Sequence, residues 1–230
     1  MIAELKSIPD KVIHSIEPDA GRPYQPWPVD QLRMTLSSIA LFPLNTVLFP
    51  GGPLPLRIFE PRYLKMVSDC MKNDRPFGVC LISRGKEAGK AAVPYNHGTL
   101  ARIEDWNQLP DGHLGITVRG GERFVVRQAT TGADQLISAE VETLDEPAPS
   151  TGVDEPFQPL VEILQKALPQ AGPLYRDMEP RWDDPDWVAY RLAELLPPDN
   201  QFKLEVLQAA TSNRRLELVK EHLRSQATRR

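Results

Sequence analysis

Apolar positions along the chain follow two different periods. From residue 39 to 59 the run IALFPLNTVLFPGGPLPLRIF is apolar but interrupted by proline every few residues, which leaves no room for a long helix. It predicts short strands over 39–42, 46–49 and 54–58, separated at Asn45 and at Pro50-Gly51-Gly52. Leu54, Leu56 and Ile58 alternate with Pro55 and Arg57, the period of a half-buried strand. Pro53 and Pro55 carry no amide hydrogen, so one edge of that strand is expected to be incompletely paired. At Glu60-Pro61 the period changes. Proline is favoured at a first helical position, where its missing N–H costs nothing, and Glu60 places negative charge at the positive helix end. Tyr63, Met66, Val67, Cys70 and Met71 then form a buried stripe, and Asn73-Asp74 ends the helix. A buried strand over 77–82 precedes a long loop at about 84–96. Further strands are expected near 99–106, 113–119, 122–128 and 136–143, with Asp111-Gly112 and Gly120-Gly121 read as hairpin turns.

Beyond residue 154 the spacing becomes helical. A first helix spans about 155–168 and stops before Pro169, and an acidic connector covers 176–184. Asp184-Pro185 reads as an N-cap followed by proline, and Trp187, Val188, Arg191, Leu192 and Leu195 share a face until Pro197-Pro198. A third helix is expected at about 200–210, and a fourth follows Thr211-Ser212 with Leu216, Val219 and Leu223 inward. The fold class is therefore α+β: a small β domain with one helix over 36–145, a linker at 146–154 and a helical bundle over 155–228. Residues 1–35 hold five prolines and isolated aromatics. They read as an extension, poorly ordered or draped on the surface. Met34, directly before the first strand, is an alternative start.

Composition narrows the function. The net charge is −4, and residues 36–145 carry 12 basic and 12 acidic side chains. A nucleic-acid binder draws most of its affinity from neutralised phosphates, so that class is disfavoured. The last helix is locally basic, with Arg214, Arg215, Lys220, Arg224, Arg229 and Arg230 against Glu217 and Glu221. It reads as a solvated outer face, or else as a contact patch for an acidic partner or nucleic acid. Cys70 and Cys80 sit among apolar neighbours without metal-ligand spacing, as buried free thiols do. No apolar run approaches the roughly 18 residues of a membrane span, and the first 30 residues lack the apolar core of a secretory signal. A cytoplasmic location is expected. No metal or cofactor site is expected, and no catalytic residues are nominated. Gly85-Lys86-Glu87-Ala88-Gly89-Lys90 is one residue short of a phosphate loop and is followed by Ala91 rather than Ser or Thr. The four histidines have no sequence-paired nucleophile, and Glu104-Asp105 and Asp183-Asp184 read as turns or caps.

One segment invites a binding role. Arg57, Phe59, Glu60, Arg62 and Tyr63 lie at the end of the proline-rich strand and the start of the helix. Such an edge accepts an added peptide strand, with main-chain hydrogen bonds supplying affinity and side chains supplying selectivity.

Several motifs occur together in order. Leu41-Phe42-Pro43-Leu44, Val47-Leu48-Phe49-Pro50-Gly51 and Leu54-Pro55-Leu56-Arg57-Ile58-Phe59-Glu60-Pro61-Arg62-Tyr63 come first. His97-Gly98-Thr99-Leu100-Ala101-Arg102-Ile103, Asp111-Gly112 and Gly120-Gly121-Glu122-Arg123-Phe124 follow. Trp187 to Pro197, Lys203-Leu204-Glu205-Val206-Leu207 and Arg215-Leu216-Glu217-Leu218 complete the set. Over about residues 38–225 this order resembles the amino-terminal substrate-binding domain of Lon proteases, in the form found in stand-alone bacterial relatives. The resemblance implies a PUA-like β pseudobarrel followed by a helical bundle. The family's ATPase phosphate loop and Ser–Lys protease dyad have no counterpart in these 230 residues. What it implies is a non-catalytic polypeptide-binding or adaptor module. Its partners would be polypeptide segments or a protein such as a protease or chaperone. RNA binding, known among PUA-like barrels, is the alternative; an enzyme with a site assembled from distant residues is a third reading.

Overall fold

A computed structural model describes residues 37–144 and 152–228. The expected extension over 1–35, the alternative start at Met34 and most of the expected linker lie outside the described residues. Six strands follow in chain order: β1 (Ser37–Leu44), β2 (Pro53–Ile58), β3 (Phe77–Arg84), β4 (Val93–Gln108), β5 (Leu114–Thr131) and β6 (Ile137–Thr143). Helix α1 (Pro61–Asn73) lies between β2 and β3. Helices α2 (Gln158–Ala167), α3 (Pro185–Leu195), α4 (Asn200–Gln208) and α5 (Ser212–Thr228) follow the strands. The sheet order is β2-β5-β4-β3-β1-β6, and a further β5–β6 pairing closes it into a pseudobarrel. Only β1 and β3 are parallel, because β2 and α1 intervene between them. β2 pairs with β5 alone and is the edge strand among the described residues.

Two sequence expectations fail for one shared reason. Residues 46–49 were expected to form a strand, yet they are irregular. Val47 and Phe49 reach into the core of the helical bundle while Leu48 enters the barrel core. The alternation is that of an extended segment, but its two faces belong to two cores. Gly120-Gly121 was expected to turn a hairpin, but β5 continues through it as one strand of 18 residues, with a register irregularity against β4 at that point. One half of β5 pairs with β2 and the other with β6, so a turn there would break the strand that links β2 to β6. Gly120 serves close approach instead. A Cβ on it would lie 2.0 Å from the Phe49 carbonyl oxygen. The amide of Gly51 donates to the Gly120 carbonyl (2.7 Å) and that of Gly120 to the Gly52 carbonyl (2.9 Å). The loop after β3 is also shorter than expected, since β4 already begins at Val93.

Local signals fared better. Pro61 opens α1, and Asp74 ends it in the left-handed region (φ 47°), its amide donating to the Cys70 carbonyl. Asp184 caps α3 through both the Asp186 and Trp187 amides. The turn after β4 forms at Asp111-Gly112, where the Gly112 amide donates to the Leu109 carbonyl. Helix α3 is buried on nearly every side, from Trp187 to Ala193, and packs against α2, α4 and α5. Cys70 and Cys80 are buried free thiols, and burial pushes them up to about 11 and about 12.

The glycine pair supplies a direct test. Gly120→Ala forces a methyl group onto the Phe49 backbone and is expected to cost about 2–3 kcal/mol in denaturant unfolding. At Gly121 the nearest neighbour of an added Cβ is 3.6 Å away, so Gly121→Ala is expected to stay within about 0.5 kcal/mol of the parent.

Candidate functional site

The five residues around the β2–α1 junction divide into buried and exposed groups. Arg62 and Tyr63 are buried. Arg62 Nη1 donates to the Gln135 carbonyl (2.9 Å), and its Nη2 lies 3.0 Å from Glu60 Oε2. Its guanidinium sits 4.6 Å from the centre of the Tyr63 ring, which stacks on Phe42 at 4.0 Å. Burial pushes the Tyr63 phenol up to about 12, opposed by Arg62. The loop between β3 and β4 packs onto the same group. The Gly89 amide donates to Glu60 (3.4 Å), the Ala91 amide to the Gln135 side chain (3.3 Å), and Glu87 accepts from the Asn45 amide (2.6 Å). Arg62 and Tyr63 therefore tie α1, the β5–β6 turn and this loop together, while Glu60 is half-buried at their margin.

Arg57 and Phe59 face solvent. Phe59 is 39% exposed, an uncommon state for a large aromatic side chain, and its ring meets His113 edge-on at 6.3 Å. Arg57 forms an ion pair with Asp111 and lies 2.9 Å from His113 Nδ1. Asp111 is held below the usual carboxylate range, first by the His113 amide and also by the His113 side chain and Arg57. Because both partners are exposed, the Arg57–Asp111 pair is weak and exchangeable. Edge strand, aromatic face, guanidinium and carboxylate thus adjoin one another on a continuous surface.

A second group, missed in the sequence, joins barrel to bundle through buried arginines. Arg191 on α3 is fully buried. Its Nη2 donates to the Pro50 carbonyl (2.9 Å) and to Glu194 Oε1 (2.8 Å). Tyr175 donates to Glu194 Oε2 (3.3 Å), and Lys203 Nζ to the Glu194 carbonyl (3.2 Å). Arg119 on β5 donates to the Gly51 carbonyl (3.2 Å). A Cβ at Gly52 would lie 1.8 Å from Glu194 Oε1. Arg123 on β5 donates to the carbonyls of Leu207 (2.6 Å) and Ala209 (3.1 Å). Arg215 donates to the same Ala209 carbonyl (2.9 Å) and pairs with Asp186. The solvated outer face expected for the last helix thus needs correction. Arg215 is fully buried, and Lys220 donates to the Pro156 carbonyl over the Phe157 ring. Arg191 alone left a signal in the sequence, as a cation inside an apolar helical stripe.

The histidines are spread through the fold. His97 bonds Asn96 and Gln208, and its basicity is lowered by burial and by Arg123. His222 stacks on Phe202 at 3.9 Å and bonds Gln226. Among the described residues no imidazole ring of these or of His113 bonds a hydroxyl or thiol group; the Ser225 hydroxyl donates to the His222 carbonyl (2.8 Å). Among the described residues no helix is long and apolar enough to cross a membrane.

The family model of the ATP-dependent protease La (LON) substrate-binding domain matches residues 38–225. The chain belongs to this family. Among solved structures it is similar to a Lon N-terminal domain protein from Xanthomonas campestris, at 35% identity and a TM-score of 0.68, covering 80% of this chain and 98% of that one. The N-terminal domain of the Mycobacterium avium complex Lon protease shares the fold at 17% identity and a TM-score of 0.56. Lon protease 2 of Myxococcus xanthus is 30% identical over 118 residues, half of this chain. The Lon protease of Azospirillum brasilense is 26% identical over 194 residues, 78% of this chain. These matches span 14% and 23% of the two proteases. The similarity therefore falls on the substrate-binding portion of Lon and not on its catalytic part. In this Lon-type domain, Arg123 and Arg191 join barrel to bundle, and Arg215 shares the Ala209 carbonyl with Arg123.

The buried carboxylate gives the interface a pH dependence. Burial pushes Glu194 from 4.5 up to about 7 although Arg191 lies beside it. A carboxyl group whose folded value is raised contributes stability that is fully present below the unfolded value and is lost as pH rises through the folded one. Thermal midpoints across pH 4.5–8 are therefore expected to show the parent losing stability relative to Glu194→Gln as pH rises, with most of the change complete slightly above pH 7.

Proposed function

We propose that this chain is a non-catalytic module that holds extended polypeptide segments along β2 and the exposed residues at its end. The segments belong to unfolded chains or to a protein partner, such as a protease or chaperone. The observation that carries the reading is the position of β2, paired on one side only among the described residues and ending at the exposed Phe59. An edge strand offers unpaired backbone groups, and an exposed aromatic ring is a frequent anchor in protein recognition. Membership in a substrate-binding domain family supports the same reading. Arg57 and Glu60 would orient the bound segment through exchangeable charge contacts, while Arg62 and Tyr63 support the surface from beneath.

The test is titration of the purified protein with a reduced, carboxymethylated polypeptide that cannot refold. Saturable binding is expected, weakened about five- to tenfold by Phe59→Ala with no change in thermal midpoint. Arg62→Ala is expected instead to lower the midpoint, since it removes a buried hub. Absence of saturable binding by the parent protein would remove the reading.

A further inference from the structure

Among the described residues the outer edge of β2 is unpaired, and its unusual polarity follows from hydrogen-bond parity. Gly120 directs both its amide and its carbonyl toward the 51–52 turn. Backbone groups alternate sides along a strand, so Val118, Ile116 and Leu114 also face β2. Their register partners are Leu54, Leu56 and Ile58. Pro53, Pro55 and Arg57 therefore turn their backbone groups outward. Two of these three residues have no amide hydrogen. By this parity the outward backbone groups are three carbonyls and one amide, that of Arg57; Pro55 and Arg57 are exposed, whereas Pro53 is buried at the start of the strand.

We infer that β2 is a one-way edge: it accepts hydrogen bonds from an extended client segment and hardly donates any, which admits a client strand while rejecting a second copy of itself. This inference rests on the polypeptide-binding reading and specifies its chemistry. Six ladder bonds join three outward residues to a complete antiparallel partner. An ordinary strand still forms four of them here, three to the carbonyls and one from the Arg57 amide. A second copy of β2 has the same shortage. Its antiparallel pairing matches Arg57 with Pro53 at each end and Pro55 with Pro55 at the centre, so two bonds remain. Edge-to-edge association, the standing hazard of an open strand, is thereby disfavoured without closing the edge to clients. The preferred client is an extended segment with consecutive free amides, free of proline where it faces β2. Phe59 lies at the end of the row to receive an apolar side chain, and Arg57 supplies the single returning amide.

Two measurements test this with one probe, a soluble valine- and threonine-rich peptide, and its analogue with esters replacing the amides of the central six residues. Ester replacement removes donors and leaves side chains unchanged. The peptide is expected to bind at least about tenfold more tightly than the ester analogue, since three donated bonds are lost. Pro55→Ala adds one outward amide at an exposed position. It is expected to tighten peptide binding by about fivefold, the net worth of one hydrogen bond, and to increase self-association in analytical ultracentrifugation. Equal binding of peptide and ester, or weaker peptide binding by a folded Pro55→Ala variant, overturns the one-way edge while leaving polypeptide binding intact. Failure of both this peptide and the unfolded polypeptide to bind the parent protein overturns the functional reading, and the one-way edge falls with it.

Discussion

The structure turns on the passage of residues 49–52 between barrel and bundle. Phe49 is fully buried against Tyr190, with ring centroids 5.4 Å apart. The next three residues exchange backbone hydrogen bonds with Gly120 on one side and accept from Arg191 and Arg119 on the other. The passage is closely packed at two points, where Gly52 abuts Glu194 and Gly120 abuts the Phe49 carbonyl. Ion pairs in such surroundings stabilise a structure only when every partner is present; a lone buried charge costs far more than the pair contributes. The arrangement therefore acts as a register device that accepts one docking of α3 on the barrel.

That register reaches the surface through β2. The strand begins directly after the clamped turn and carries its register along β5 to Ile58. Phe59 and Arg57 are consequently positioned by a buried charge network at the opposite end of the strand, although they make no contact with it. At the exposed end the side-chain contacts are the reverse in kind: solvent-facing pairs among Arg57, Asp111 and His113 that exchange at little cost. A rigid strand with a loosely tethered end fits the binding surface proposed for β2.

Features governed by neighbouring residues were legible in the chain. The start and stop of α1, the Asp184 cap, the Asp111-Gly112 turn and the proline-marked edge each depend on a few adjacent residues, and each formed as their chemistry requires. The order of motifs also carried the family. Where two distant segments share one environment, local reading failed. Residues 46–49 look like a strand because their side chains alternate, but only the packed structure shows that the two sides face separate cores. Gly120-Gly121 has turn composition, yet its lack of side chains admits the Phe49 backbone.

The candidate site divides along the same line. Sequence alone located the five residues at the β2–α1 junction, because proline, charge and aromatic side chains coincide there. Tertiary structure decided that Arg62 and Tyr63 face inward and Arg57 and Phe59 outward. It likewise made Arg123, Arg191 and Arg215 buried struts, because the carbonyls and carboxylates that satisfy them are supplied mostly from other elements. The chain by itself determined which backbone conformations were available and which residues had to leave water. Only the assembled fold completed the sets of partners that make a buried charge tolerable: Glu194 is close to Arg191 in the chain, but the Pro50, Leu207 and Asp186 groups that complete the arginine contacts lie on segments too distant for any local pattern to reveal.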